Sequence, residues 1–487
     1  MRWLVALLSC TVLIARSTNL NPDREILARW PAAEPAVVSL LWEAGVNAVL
    51  VPPAADNAQF LAACRSAGIA PIAELAPAEG PEALRKELER VRAAGFAGAA
   101  IQAFGGERAF RAILDSQRGF VVLVSLTPEQ VAWNVAPAWA VLKAGLWPGV
   151  QRRNLSEASA TARPWLDANS HLVAYLRGWF PGRPALLGYR PDKEAGVSPD
   201  RILRPDSSEL ALADAFSAGG SVILSFPESF CRELLAGEKR ALTAWRTLAS
   251  SIAFVKKNRA LLGGEPATRV AVAAGTLDES GEILNMLYRN NLCPVVFAAA
   301  RVPALNTSRL AAVAAVNATP SGPSARNLMA FAGAGGKLFV SGEKPWWLGG
   351  GARKSRSDDD GDLYAAGQGE VFAYRSAVAD PSEFALDVID AINQKNLDLR
   401  LWTAESVLGT LHRSAEGKLV LALVNYGSPL DRDFLVYVRG RFRSAEFLEP
   451  ASDAARPLQL TKRPQGVEIN LRRLSRIALI VLTQEGV

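Results

Sequence analysis

From residue 35 to 262, short apolar runs alternate with stretches of helical period. PAVVSLLWEAGVNAVLVPP carries a helix into Gly45 and then a strand ending at Pro52. FLAACRSAGIAPIAEL repeats that grammar with Gly68 as the stop, and LERVRAAGFAGAAIQAFG repeats it once more. A glycine can close each helix because it enters the left-handed conformation without a Cβ clash. The apolar runs are continuous, as in strands covered on both faces. AVLVP (48–52), PIAEL (71–75), the strand ending at Gln102, FVVLVSL (120–126), GLWPGVQ (145–151), PALLGYR (184–190), DRILRP (200–205) and GSVILSFP (220–227) bring the count to eight. Strands and helices in that alternation predict an α/β fold, a (β/α)8 TIM barrel over residues 35–262.

The pattern then restarts. TRVAVAAG, SGEILNMLYRNNLCPVVFAAA, RLAAVAAVNATP and ARNLMAFAGAGGKLFVSG alternate strands and helices, predicting a small doubly wound α/β domain over residues 266–395. From 400 to 487 the runs shorten, often alternate, and are separated by Gly, Pro, Ser or Asp, which predicts an all-β sandwich. The glycines of the middle region do not make a nucleotide site. Gly333, Gly335 and Gly336 fall in a helix-to-strand turn, whereas a dinucleotide fingerprint needs strand-to-helix. GGGARKS (349–355) has arginine where a phosphate loop needs its last glycine, and SRSDDDGDLYAAGQGE (355–370) lacks the acids of a calcium loop at the required spacing.

Composition changes this picture little. The chain of 487 residues is 49% hydrophobic and 21% charged, which fits globular domains and excludes disorder. A formal charge of +6 spread in short basic runs gives no stripe for a nucleic-acid backbone, so no nucleic-acid partner is expected. MRWLVALLSCTVLIARST has the layout of a secretory signal over residues 1–17, too short to span a bilayer comfortably. A secreted or periplasmic protein is therefore expected, with a lipid anchor at Cys10 as the minority alternative. No later stretch is long and apolar enough for an integral membrane segment. Cys64, Cys231 and Cys293 are too far apart for a disulfide framework or a zinc pattern and read as small buried hydrophobes. With two distant histidines, His171 and His412, neither a metal site rich in nitrogen ligands nor a serine triad is expected, and no cofactor is expected. His412 reads as a strand-surface residue.

ALADAFSAGGSVILSF, ESGEILNMLYRNNLCPVV, ARNLMAFAGAGGKLFVSG and GKLVLALVNYGSP carry a resemblance. Barrel, small flavodoxin-like unit and β-sandwich in that order resembles the family 42 β-galactosidases and a wider set of glycoside-hydrolase-like proteins. The resemblance implies a middle domain with a glutamine-amidotransferase-like fold that helps build homo-oligomers. In this chain that domain lacks a local Cys-His arrangement, since no histidine occurs between 172 and 411. The resemblance also implies an Asn-Glu pair after strand four and a glutamate after strand seven. Thr127-Pro128-Glu129 stands at the first place without the asparagine, and Pro205-Asp206-Ser207-Ser208-Glu209 at the second, where helix capping accounts for both acids.

Glycoside hydrolysis needs two carboxyl groups flanking the scissile bond, at the C-terminal rim of a barrel. Glu74, ending a strand, and Glu228, following one, are the first candidates, with Asp206 third. Gln102, Gln151, Arg152, Tyr189 and Arg190 at strand ends could line a carbohydrate pocket. Arg163, Trp165 and Asp167, in the long loop leading into RPWLDANSHLVAYLRGW, extend that set, with Asp167, Asn169 or Ser170 able to cap the following helix. The arginines would also suit a carboxylated sugar. Two functions stay open: an exported glycoside hydrolase, or a catalytically degenerate glycosidase-like barrel that binds a glycan or supports an assembly.

Overall fold

The strands that form do so where β-branched and aliphatic residues follow a left-handed glycine turn. Gly45 (φ 79°) and Gly68 (φ 69°) close the helices Val37–Glu43 and Ala58–Ala67 and lead into strands. The helix Pro81–Ala93 starts with proline at its first turn and buries Leu84, Leu88 and Val91, one face at intervals of four and three. Each such side chain contributes roughly 1.5–3 kcal/mol of burial. The computed structural model describes residues 20–21, 24–54, 56–117, 119–151, 164–198, 203–204, 206–342, 346–347, 351–357, 359, 361–452 and 454–486. The expected signal segment, Cys10, Arg152 and Arg163 lie outside the described residues.

In chain order the first strands are β1 (Leu27–Arg29), β2 (Ala48–Val51), β3 (Ala70–Glu74), β4 (Gly98–Gln102), β5 (Val121–Leu126) and β6 (Trp139–Leu142). An antiparallel hairpin follows, β7 (Gly149–Gln151) with β8 (Trp165–Asp167), and then β9 (Leu186–Leu187) and β10 (Ser221–Leu224). Strands β1–β6, β9 and β10 close into an eight-stranded parallel barrel in the order β1-β10-β9-β6-β5-β4-β3-β2. Leu27, Ala48, Leu50, Ile72, Ala100, Leu123, Val141, Leu186 and Ile223 fill its interior.

The predicted barrel is present, but two of its strands are not the expected ones. GLWPGVQ supplies β7 of the hairpin, and most of DRILRP lies outside the described residues. Their places are taken by β1, upstream of residue 35, and by β6. Both are short, three and four residues, so their apolar signal is brief.

The chain divides into two units. One comprises Met1–Ala144, Leu186–Ser208 and Ser221–Ala253 and holds the barrel strands; the other comprises Gly145–Ala185, Glu209–Gly220 and Phe254–Val487. The second unit contains a seven-stranded sheet of β11 (Val270–Ala274), β12 (Val295–Ala298), β13 (Ala312–Ala315), β14 (Lys337–Ser341), β15 (Arg353–Ser357), β16 (Gly361–Ala366) and β17 (Gly369–Tyr374). Its order, β12-β11-β13-β14-β17-β16-β15, begins as a flavodoxin-like sheet and ends in antiparallel strands. A sandwich completes the unit, from β18 (Leu399–Trp402), β19 (Val407–Arg413), β20 (Leu419–Asn425), β21 (Phe434–Arg439), β22 (Phe442–Leu448), β23 (Arg456–Leu458), β24 (Thr461–Arg463), β25 (Gly466–Leu471) and β26 (Ile477–Gln484). Sheets β18-β21-β25-β24 and β19-β20-β26-β22-β23 enclose an apolar core. Among the described residues no helix is long and apolar enough to cross a membrane.

A buried carboxylate organises the second unit. Asp214 is fully buried and accepts from Asn169 N–H (2.7 Å), Ser170 Oγ (2.5 Å) and Tyr426 OH (2.6 Å). Burial nevertheless raises its pKa from the ordinary value, against the pull of those hydrogen bonds. Asn169 opens the helix Ser170–Trp179, but its side chain makes no cap; it clamps the Leu146 peptide, accepting from N–H and donating to C=O, both at 2.8 Å. His412 is buried rather than on a strand surface, with Nε2 2.8 Å from Ser217 O. Burial lowers its pKa to about 4, and that of His171 to about 3. Cys64, Cys231 and Cys293 are buried free thiols, as expected.

Two stability predictions arise. Tyr426→Phe leaves Asp214 short of a donor and should cost about 1–2 kcal/mol in denaturant unfolding; an unchanged midpoint would show that the network does not hold the unit together. A histidine kept neutral by burial stabilises the fold above its ordinary pKa, and that stability is lost as pH falls toward its lowered value. His412→Gln should therefore lose less stability than wild type between about pH 7 and about pH 5; equal losses would contradict the assignment.

Candidate functional site at the barrel mouth

Side chains along a strand alternate between faces, so a residue two positions beyond an inward one also points inward. Applied to the interior layer, that rule puts Arg29, Glu74, Gln102, Ser125, Lys143, Gly188 and Ser225 in the next layer, at the carboxyl ends of β1, β3, β4, β5, β6, β9 and β10. This is the rim where barrels carry their chemistry. The layer changes abruptly from aliphatic to polar and charged. Gly188 is a requirement of space, since a Cβ there would run into the Val141 side chain.

Arg29 and Glu74 form the centre. Arg29 Nε donates to Glu74 Oε1 at 2.8 Å, and Arg29 Nη1 donates to Ser225 Oγ at 2.6 Å. Arg190 Nη2 reaches the same Glu74 Oε1 at 2.6 Å. The side chains of Arg29 and Glu74 are only 11% and 15% exposed, whereas Arg190 is 47% exposed. Burial lowers the pKa of Arg29 from its ordinary value, Glu74 opposes that, and the neighbouring Arg190 adds to it. Isolated burial of a guanidinium costs several kcal/mol, so Glu74 is first of all the counter-ion that lets Arg29 sit there. On the same rim Lys143 Nζ pairs with Glu194 Oε2 at 2.9 Å, and Asp192 caps the turn Lys193–Ala195 by accepting from Glu194 and Ala195 N–H.

The other expected acids lie outside this cluster. Glu228 is exposed at the first turn of the helix Glu228–Leu235. Asp206 accepts from Arg204 Nε and Nη2 at 3.0 and 2.9 Å. Glu129 is a first-turn residue behind a Thr127–Gln130 capping box, and its pKa is lowered by the Thr127 hydroxyl. Of the ligand candidates, Gln102 is exposed in the mouth layer and Arg190 is in the central cluster. Tyr189, one position beyond Gly188, is buried. Gln151, Trp165 and Asp167 belong to the β7–β8 hairpin rather than to a barrel strand; Gln151 Nε2 donates to Asp167 Oδ2 at 2.9 Å, and the Arg289 guanidinium lies 3.3 Å from the Trp165 ring centre. Sequence reading missed Arg29, Ser125, Lys143 and Ser225. The signal that would have found them is the i+2 step beyond each inward aliphatic residue.

A flavodoxin-like sheet binds ligands between its first and third strands. At that point in the second unit, the carboxylate of Glu279 and the methyl of Ala318 close upon Gly275, and Glu279 is spent on Thr276 N–H at 2.7 Å. Among the described residues no group of three His, Cys, Asp or Glu is placed to hold a metal ion.

No family model matches the sequence. No curated protein gives a significant match. Solved structures do. The chain is similar to an α-L-fucosidase (isoenzyme 2) from Paenibacillus thiaminolyticus, at 12% identity and a TM-score of 0.58, covering 95% of this chain and 100% of that one. It also matches a rhamnosidase from Novosphingobium sp. PP1Y (12% identity, TM-score 0.42, 78% of this chain and 38% of that one). A third match is the exo-β-1,4-mannosidase Op5Man5 from Opitutaceae bacterium strain TAV5 (10% identity, TM-score 0.41, 78% and 97%). Of these three only the fucosidase superposes closely enough to bear on the fold. The fold is a closed eight-stranded parallel barrel similar to that of the fucosidase, followed by smaller mixed and antiparallel sheets. The fucosidase is not a β-galactosidase, so the likeness reaches the barrel fold and not the family 42 plan.

The cluster predicts an asymmetry. Glu74→Gln strands the buried Arg29 and should cost about 2 kcal/mol of stability, while Arg190→Gln, half in solvent, should cost less than about 0.5 kcal/mol. Denaturant titration of both variants checks this; equal effects would mean that Glu74 does not serve Arg29.

Proposed function

We propose that this protein is a catalytically degenerate, glycoside-hydrolase-like barrel that binds a glycan at the mouth of the barrel without cleaving it. The observation that carries the reading is the double engagement of Glu74 Oε1 by Arg29 and Arg190. A general acid must offer a proton to the leaving oxygen, and a nucleophile needs a partner carboxyl roughly 5–5.5 Å away. Glu74 instead accepts a hydrogen bond from Arg29 and forms an ion pair with Arg190. Glu228 and Asp206 take no part in its hydrogen-bonded cluster. A rim of guanidinium, carboxamide, hydroxyl and ammonium groups suits sugar hydroxyls well, since these act as both donors and acceptors.

The finer readings belong to the same proposal. Residues 1–17 would direct export, and the middle α/β domain would serve assembly into homo-oligomers. The family 42 plan is one source for such an arrangement; the hydrolytic pair Glu74 with Glu228 or Asp206 is the competing reading.

The test pairs a glycan-binding screen with a sugar-release assay on the full chain. Binding is expected for at least one glycan, with release at background for wild type and Glu74→Gln alike. Wild-type release that falls about a hundredfold in Glu74→Gln or Glu228→Gln would overturn the proposal in favour of two-carboxylate hydrolysis.

A further inference from the structure

The mouth holds more guanidinium donors than it can satisfy. Arg29 spends Nε on Glu74 and Nη1 on Ser225, and Arg190 spends Nη2 on Glu74. Arg29 Nη2 and Arg190 Nε and Nη1 have no acceptor among the described residues. Both guanidiniums converge on one oxygen, at 2.8 and 2.6 Å, so two like charges are held side by side over a single negative atom. Of the other acids of the rim, Glu194 pairs with Lys143, and Asp192 caps its own turn while its charge also acts on Arg29. Arg29 is fixed by burial. Arg190 is half exposed, so its side chain is open to a ligand from solvent. A planar fork of N–H groups beside a second such fork is the usual receptor for a two-oxygen anion.

We propose that the glycan bound at this mouth is acidic, its oxyanion bridging Arg190 and Arg29 beside Glu74. A uronate carboxylate and a sulfate ester share that chemistry. The inference rests on the glycan-binding reading and narrows it to a ligand class. It also assigns Glu74 a second consequence: as the anion already present, it competes with the incoming one.

The experiment is calorimetric titration of the full chain with three probes of matched length: a neutral galacto-oligosaccharide, an oligogalacturonate and a sulfated oligosaccharide. Wild type should bind one acidic probe at least about tenfold more tightly than the neutral one, with an affinity that falls as salt is raised. Preference for the uronate or for the sulfated probe supports the inference and identifies the source of the anion. Arg190→Gln should lose that about tenfold preference, binding the acidic and neutral probes to within about threefold of each other. Glu74→Gln, verified as folded by circular dichroism, should bind the acidic probe more tightly than wild type, the opposite of a merely structural loss. Equal binding of neutral and acidic probes, unaffected by Arg190→Gln, would overturn the acidic assignment and leave glycan binding standing. Binding of none of the three, together with none in the broader screen, would overturn both.

Discussion

Strand alternation is the constraint on which the functional end of the molecule depends. Eight parallel strands close only if their inward positions fill the interior, and the same two-residue step then decides what stands at the mouth. Leu27, Ile72, Ala100, Val141 and Ile223 make the core; two residues on, the chain offers Arg29, Glu74, Gln102, Lys143 and Ser225. The aliphatic layer below gives Arg29 no solvation. Glu74 and Ser225 replace the water it would otherwise need, which couples β1, β3 and the end of β10 through one guanidinium.

The proposed function rests on that coupling. A carboxylate at a barrel rim suggests hydrolysis when viewed alone, and its partners change its meaning. Glu74 is the acid best placed for chemistry and also the residue whose removal leaves a buried cation unpaired. On the proposed reading the mouth is a receptor with fixed charges rather than a pair of carboxyl groups passing a proton. Similarity to a fucosidase at 12% identity informs the fold and not the reaction.

Much of the fold was legible in the sequence, and the reasons for what was not are physical. Glycine-closed helices followed by β-branched runs marked β2, β3, β4, β5 and β10, because both signals are local. β1 and β6 follow no glycine-closed helix and so lack that local signal, and GLWPGVQ imitates a strand by pairing in a hairpin. Glu74 was found because it ends an apolar run; Arg29 was missed because its strand was missed. Asp214 could not be read at all, since its partners Asn169 and Tyr426 are 45 and 212 residues away. Asn169 looked like a helix cap by position and type, but the Leu146 peptide competes for its side chain and wins. His412 looked exposed beside an arginine, yet its strand packs over Ser217.

A crystal structure of the full chain with a bound glycan tests the central claim most directly. The account predicts ligand oxygens on the unengaged nitrogens of Arg190 and Arg29, with the Arg29–Glu74 contact kept near 2.8 Å. A ligand bound with Glu74 turned out of the arginine pair, and with Glu228 or Asp206 facing it across the sugar at roughly 5–5.5 Å, would contradict it.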